Sequence, residues 1–156
     1  MKILLAIDDS ECSAAAAKAV ITQFVSTGTE VLVLHADDWP AGLPASMAFA
    51  EGSSAADSVL NLHGERRRAA ERLVATTAAR LRDAGFSAMT AIRDGDPRHA
   101  ICACAEDWQP DLVVVGSHGK QGLDRLFLGS VSEGVMRHAP CSVEIVRCGR
   151  SAAERR

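Results

Sequence analysis

The chain has 156 residues at 16.5 kDa and is 47% hydrophobic, enough to bury the core of one domain without disulfides or a structural metal. With 17 Lys and Arg against 20 Asp and Glu, the net charge of -3 offers no positive field to a nucleic acid, and no such partner is expected. The apolar runs Ile3 to Ile7, Val31 to Leu34 and Leu112 to Val115 fall far short of the roughly 20 residues that cross a bilayer, which excludes a membrane role of that kind.

Ile3 to Ile7 is too short for a helix and apolar on both faces, as a strand in the middle of a helix-covered sheet must be. Asp9 or Ser10 can cap the next element, in which Ala14, Ala17, Ile21, Phe24 and Val25 recur at helical spacing until Gly28 supplies a stop. Val31 to His35 repeats the buried-strand signature. Pro40, Gly42, Pro44 and Gly52 then punctuate a long loop over residues 37–56. From about Asp57, Leu62, Ala69, Leu73, Thr76 and Leu81 form the apolar side of a long helix ended by Gly85 and open to irregularity at Gly64.

Phe86, Ala88, Thr90 and Ile92 alternate with Ser87, Met89, Ala91 and Arg93, which predicts a less buried strand nearer a sheet edge. Asp96-Pro97 pairs an N-cap with proline at the first helical position, and the helix carries Ala100, Ile101, Cys104, Ala105 and Trp108 before Pro110. Leu112 to Val115, a short helix from Ser130 to His138, and Val143 to Val146 complete the pattern. Right-handed crossovers between such strands predict an α/β fold, an open, doubly wound, five-stranded parallel sheet with helices on both faces. The domain is expected over residues 1–148, with a polar tail over 149–156.

In such sheets small molecules bind beyond the carboxyl ends of the strands, where the winding reverses, so the candidate loops follow Ile7, His35 and Val115. The last of these reads Val115-Gly116-Ser117-His118-Gly119-Lys120-Gln121-Gly122, and thirteen residues past Gly116 come Gly129 and Ser130 at a helix start. Gly116 and Gly119 can let backbone approach a ligand, while the amides of Ser130, Val131 and Ser132 make a helix N-terminus suited to phosphate. The spacing is neither a Walker P-loop nor the GxGxxG dinucleotide fingerprint.

Gly116-x2-Gly119-x9-Gly129-Ser130 after a Val-Val-Val strand, closed by His138-Ala139-Pro140-Cys141 and a last strand, resembles the universal stress protein family over nearly the whole chain. Met1 to Ser10 is similar to that family's opening strand and acidic turn, Gly95-Asp96-Pro97 to its helix entry, and Leu126 to Val131 to its phosphate-side segment. The resemblance implies a Rossmann-like fold and ATP as ligand. It puts Asp8 on the ribose or metal side, holding Mg2+ through the nucleotide, and the backbone near Ala36 against adenine. Gly116, His118 and Gly119 then surround the phosphates, Gly129, Ser130, Val131 and Ser132 complete the cradle, and Ala6, Ile7 and Val115 add contacts at the strand ends. It also implies a homodimer through the last strand, Val143 to Val146, which as an edge strand invites pairing with a second chain.

Each residue also has a plainer reading. Ser130-x-x-Glu133 is a capping box, Asp8-Asp9-Ser10 is a helix start, and Glu65-Arg66-Arg67-Arg68 decorates the wet face of the long helix. Trp39 and Trp108 are packing residues. Ser117-His118 invites a hydrolase reading, but adjacent residues in a tight loop seldom aim at each other, and no nucleophile elbow is present. Five cysteines, Cys12, Cys102, Cys104, Cys141 and Cys148, without an export signal are expected as free thiols in a cytoplasmic protein. The expected function is nucleotide-dependent regulation in a stress response, with no catalytic residue assigned. A slow ATP hydrolase or phosphotransferase, for which only His118 and Asp8 are available, and a nucleotide-free interaction module are the alternatives.

Overall fold

A computed structural model describes residues 1–38, 54–119 and 128–148, with backbone alone for 54–57. The first strand, β1 (Lys2–Ala6), is buried on both faces, and Ile3, Leu4 and Leu5 have no exposed surface. Ser10 then caps α1 (Glu11–Gln23) by accepting from the Ser13 amide at 3.2 Å. The helix ends five residues before the expected stop at Gly28. Phe24 turns to extended backbone and packs on the core, and Gly28, at φ +75°, serves instead the turn that enters β2 (Glu30–Asp37).

The long helix, α2 (Ser54–Asp83), starts at least three residues earlier than expected and runs unbroken through Gly64. Gly85, at φ +91°, turns the chain into β3 (Ser87–Asp94). Asp96 caps α3 (Pro97–Trp108), its carboxylate accepting from the amides of Arg98 and His99 at 3.0 and 3.3 Å. Then follow β4 (Leu112–Gly116), α4 (Ser130–His138) and β5 (Ser142–Val146).

All strands are parallel, in the order β3-β2-β1-β4-β5. The less buried β3 lies at one edge, as the alternation predicts, and β5 lies at the other. Period-2 alternation splits the core into two layers. Ile3, Leu5, Val31, Val33 and Val114 face Ala16 and Val20 of α1 and Val74, Ala78 and Leu81 of α2. Leu4, Leu32, Leu34, Val113 and Val115 face Ile101, Cys104 and Ala105 of α3 and Val135 of α4. The winding reverses between β1 and β4, so the ends of those strands open the crevice where ligands of such sheets bind. Among the described residues, no helix is long and apolar enough to cross a membrane.

One expectation is overturned. Cys12 and Cys148 form a disulfide across a separation of 136 residues, while Cys102, Cys104 and Cys141 are free, their thiol pKa values raised chiefly by burial. The sheet order is the cause: α1 packs over β4 and β5, which brings its first turn to the residue just past the end of β5. Cysteine counting alone does not see that proximity.

Candidate functional site

The Asp8 carboxylate stands just past the end of β1 and is tied to the first turn of α1. Its Oδ1 accepts from the hydroxyls of Ser10 at 2.5 Å and Ser13 at 2.6 Å, and its amide donates to Ser13 Oγ at 2.9 Å. Ser10 is the N-cap of α1, so the helix-start reading of Asp8-Asp9-Ser10 holds, with Asp8 bracing the cap through Ser10 and Ser13. Oδ2 faces Gly119, where a Cβ would lie 2.7 Å from it. Ala6, Ile7 and Val115 are buried, at 7%, 6% and 3% exposure, which leaves little of them to meet a ligand. The Ile7 amide already donates to Leu34 O at 2.9 Å, and its carbonyl meets His35 Nδ1 at 2.8 Å.

Gly116 has a role the sequence does not reveal. A Cβ there would come within 2.8 Å of the Cys12 backbone and 2.9 Å of Cys12 Cβ, so its bareness lets α1 lie against β4. The next residue, Ser117, is 2% exposed and joins four parts of the fold. Its amide donates to Val146 O of β5 at 2.8 Å, and its carbonyl accepts from the Gly129 amide at 2.8 Å and Ser132 Oγ at 3.0 Å. Its hydroxyl meets His118 Nδ1 at 3.0 Å and Cys12 Sγ at 3.8 Å. The expectation that Ser117 and His118 do not aim at each other is therefore corrected. The chain bends at Ser117, which ends strand alternation and turns both side chains together. The buried hydroxyl is still no exposed nucleophile.

The capping box does not form either. The N-cap of α4 is Gly129, Ser130 is the first helical residue, and Glu133 reaches Arg137 at 2.8 Å instead of the helix start. Gly129 brings no side chain to the orphan amides of the first turn, and a Cβ on it would lie 3.1 Å from Ser117 O and 3.3 Å from His118 Cα. Ser132 turns its hydroxyl inward, to Ser117 O and to Gly129 O at 2.8 Å, while Val131 packs against the α3/α4 layer. Asp8, Gly119, His118 and the α4 N-terminus thus converge at the winding reversal. Residues 120–127, with Lys120 and the start of the Leu126 to Val131 segment, lie outside the described residues, as do Trp39 and most of the 37–56 loop.

Ala36 lies farther along. β1 pairs with β2 only as far as Ala6 and Leu34, whereas β3 follows β2 to Asp37, so the last residues of β2 run past the end of β1. Beside Ala36, Asp37 is 3% exposed and is held by the Arg66 guanidinium, whose pKa that bond raises. Arg67 pairs with Asp94 at 3.3 Å and Glu71 at 3.6 Å. The arginine run is therefore more than wet-face decoration: two of its members fasten α2 to the ends of β2 and β3. Nothing in the local sequence links Asp37 to a residue 29 positions away.

Sheet order, reversal point and a glycine loop feeding a helix N-terminus define a Rossmann-like α/β protein. Residues 1–147 match the universal stress protein family, and the chain belongs to that family. It is 30% identical to the universal stress protein Sll1388 of Synechocystis over 94% of this chain and 97% of that one. The solved structure of MJ0577 from Methanocaldococcus jannaschii superposes with a TM-score of 0.79 at 30% identity, covering 96% of this chain and 97% of the other. A universal stress protein family structure from Arabidopsis thaliana, solved with AMP bound, shares the fold with a TM-score of 0.64 at 22% identity, covering 99% and 94%.

Proposed function

We propose that this chain is an ATP-binding universal stress protein, a single domain over residues 1–148 that acts in the cytoplasm as a homodimer and regulates a stress response through its nucleotide-bound state. The observation that carries the reading is the α4 N-terminus: capped by a residue without a side chain, it sits against the loop whose Gly119 faces Asp8. Orphan amides at a helix start attract phosphate oxygens, and the helix dipole adds to that attraction. Ser130, Val131 and Ser132 contribute amides, Gly119 and His118 line the phosphate side, and Gly116 and Val115 hold the loop in place. Adenine lies against the Ala36 backbone, where β2 outruns β1, near the ends marked by Ala6 and Ile7.

The residues fit Mg2+ as well. The Asp8 carboxylate supplies one hard oxygen ligand, and magnesium commonly takes one or two carboxylates together with nucleotide phosphates and water. Bound with ATP, the ion neutralises phosphate charge. The bases at hand are Asp8, whose Oδ1 accepts from the Ser10 and Ser13 hydroxyls, and His118, whose Nδ1 meets Ser117, and turnover is slow or absent.

Mass spectrometry of nucleotide released by denaturing the purified protein, with calorimetric titration by Mg-ATP, tests the proposal. Adenine nucleotide in the released fraction and saturable ATP binding are expected. A protein that releases none and gives no heat with ATP is an interaction module instead. Hydrolysis at several turnovers per second, lost in His118→Ala, would make it an enzyme.

A further inference from the structure

The Cys12–Cys148 bond touches the same residue that organises the loop. Cys12 Sγ lies 3.8 Å from Ser117 Oγ, and two residues before Cys148 the Val146 carbonyl accepts the Ser117 amide at 2.8 Å. Ser117 O in turn holds the Gly129 amide and the Ser132 hydroxyl at the start of α4. From this geometry we infer that the Cys12/Cys148 pair is a reversible redox site whose state sets the order of the Ser117 to Gly119 loop and the α4 N-terminus. Its effect on nucleotide affinity rests on the ATP-binding reading above. Its effect on the loop does not.

The chemistry follows from where each sulfur sits. Cys148 is partly exposed, whereas Cys12 is 4% exposed in the first turn of α1. A small-molecule thiolate attacks Cys148 Sγ, breaking the Cys12–Cys148 bond and forming a mixed disulfide. Cys12 leaves as the thiolate, which the amides of a helix N-terminus favour. A second thiolate attacks the small-molecule sulfur of the mixed disulfide, releasing a small-molecule disulfide and the Cys148 thiolate. In sum, two thiols are oxidised and one protein disulfide is reduced by two electrons. The reverse exchange with a small-molecule disulfide restores the bond. Once cut, the two sulfurs cannot stay at bonding distance. The thiols part, and Cys148 no longer pins the end of β5 beside α1, so the Val146 carbonyl loses its anchor next to Ser117.

The test equilibrates the full-length protein in buffers of reduced and oxidised glutathione. Differential alkylation with mass spectrometry reads the bond, and amide hydrogen exchange without nucleotide reads Ser117 and Gly129. Reduction should speed exchange at both amides by about tenfold, the scale set by one net hydrogen bond, while β1 and β2 amides stay unchanged. Cys148→Ser should show the fast rates in either buffer and remain folded, since residue 148 is only half-buried and lies past the end of β5. Mg-ATP titrations of the two states should then differ by a similar factor. The switch is refuted if alkylation finds no bond at any glutathione ratio, or if the bond forms and breaks while both amides exchange at the same rate. A changed exchange rate with no ATP binding in either state would leave the switch standing and remove the nucleotide reading alone.

Discussion

Asp8 Oδ2 stands 2.7 Å from where a Cβ on Gly119 would lie, so the carboxylate at the end of β1 and the glycine beyond β4 close on each other across the winding reversal. A side chain at 119 must push the carboxylate or the loop aside. A ligand that binds only the folded state adds roughly 2.7 kcal/mol at one hundred times its dissociation constant, a melting shift of several degrees for this size of domain. Wild-type protein should show that shift with Mg-ATP, and Gly119→Val should lose it. Gly119→Val combined with Asp8→Ala separates the causes. If the double variant melts cooperatively and regains the shift, the glycine serves only to make room for Asp8.

Ser132 is 2% exposed, and its hydroxyl reaches Ser117 O at 3.0 Å and Gly129 O at 2.8 Å. It therefore locks loop to helix and offers ligand its amide alone. Ser132→Ala should cost about 1 kcal/mol, lowering Tm by about 2–4 °C, yet preserve the ATP-dependent shift. An unchanged Tm with the shift abolished would mean that the hydroxyl touches phosphate.

The fold was legible because its signals are local. Apolar runs such as Leu112 to Val115 mark buried strands, Asp96-Pro97 marks a helix start, and the less apolar β3 lies at an edge. The site was legible only as a set of strand ends. Which glycine faces what was not: Gly116 packs on α1, Gly119 on Asp8 and Gly129 on Ser117, contacts that exist only once distant elements meet. The Ser130 capping box failed for a related reason, since a helix can start one residue early when Gly129 serves as N-cap and Arg137 draws Glu133 away. The Ser117 hub, the Asp37–Arg66 pair and the disulfide carry no spacing signature at all.

Arg66 holds a carboxylate that has little access to water. Asp37 is 3% exposed and, among the described residues, its Oδ2 is buried without a hydrogen-bond partner, while the Arg66 guanidinium at Oδ1 balances its charge. Arg66 is itself 45% exposed, which places the cost of Arg66→Leu on the order of 2 kcal/mol, below the ~3–5 kcal/mol of a fully buried broken pair. Adding Asp37→Asn should recover part of the loss by removing the stranded charge. Urea unfolding of the single and double variants measures this coupling. Additive losses would show that the pair does not hold α2 to β2.

Asp96 gives a pH signature. The hydrogen bond from Arg98, with those of the His99 and Arg98 amides, holds its carboxyl at about 2 against an ordinary 3.8. A depressed folded-state value means that the stabilisation is complete above about pH 5, starts to fall as pH nears the ordinary 3.8, and is lost as pH falls through the folded value near 2. Asp96→Ala should cost about 1 kcal/mol at neutral pH, as loss of an N-cap does. The gap between variant and wild type should hold constant down to about pH 5 and narrow as pH drops further. A gap that stays level between pH 5 and pH 3 would place the cap's contribution in something other than the ionised carboxylate.

Pairing of β5 with a second chain depends on which of its backbone groups point away from β4. In a strand the N–H and C=O of one residue point to one side, and successive residues alternate. Val146 O accepts the Ser117 amide on the β4 side, so Ser142, Glu144 and Val146 face β4, while Val143 and Ile145 turn their backbone outward. Their side chains pack on the α3/α4 layer, so a lysine at either position would injure the core along with any interface. Proline suits the question better, because at an outward position of an edge strand it removes only the donor that a second chain would use. Val143→Pro should keep a cooperative melt and sediment as a monomer at micromolar concentration, where the wild type sediments as a dimer. A folded Val143→Pro variant that remains dimeric would move the interface away from β5, and a wild type that stays monomeric with and without ATP would remove the dimer altogether.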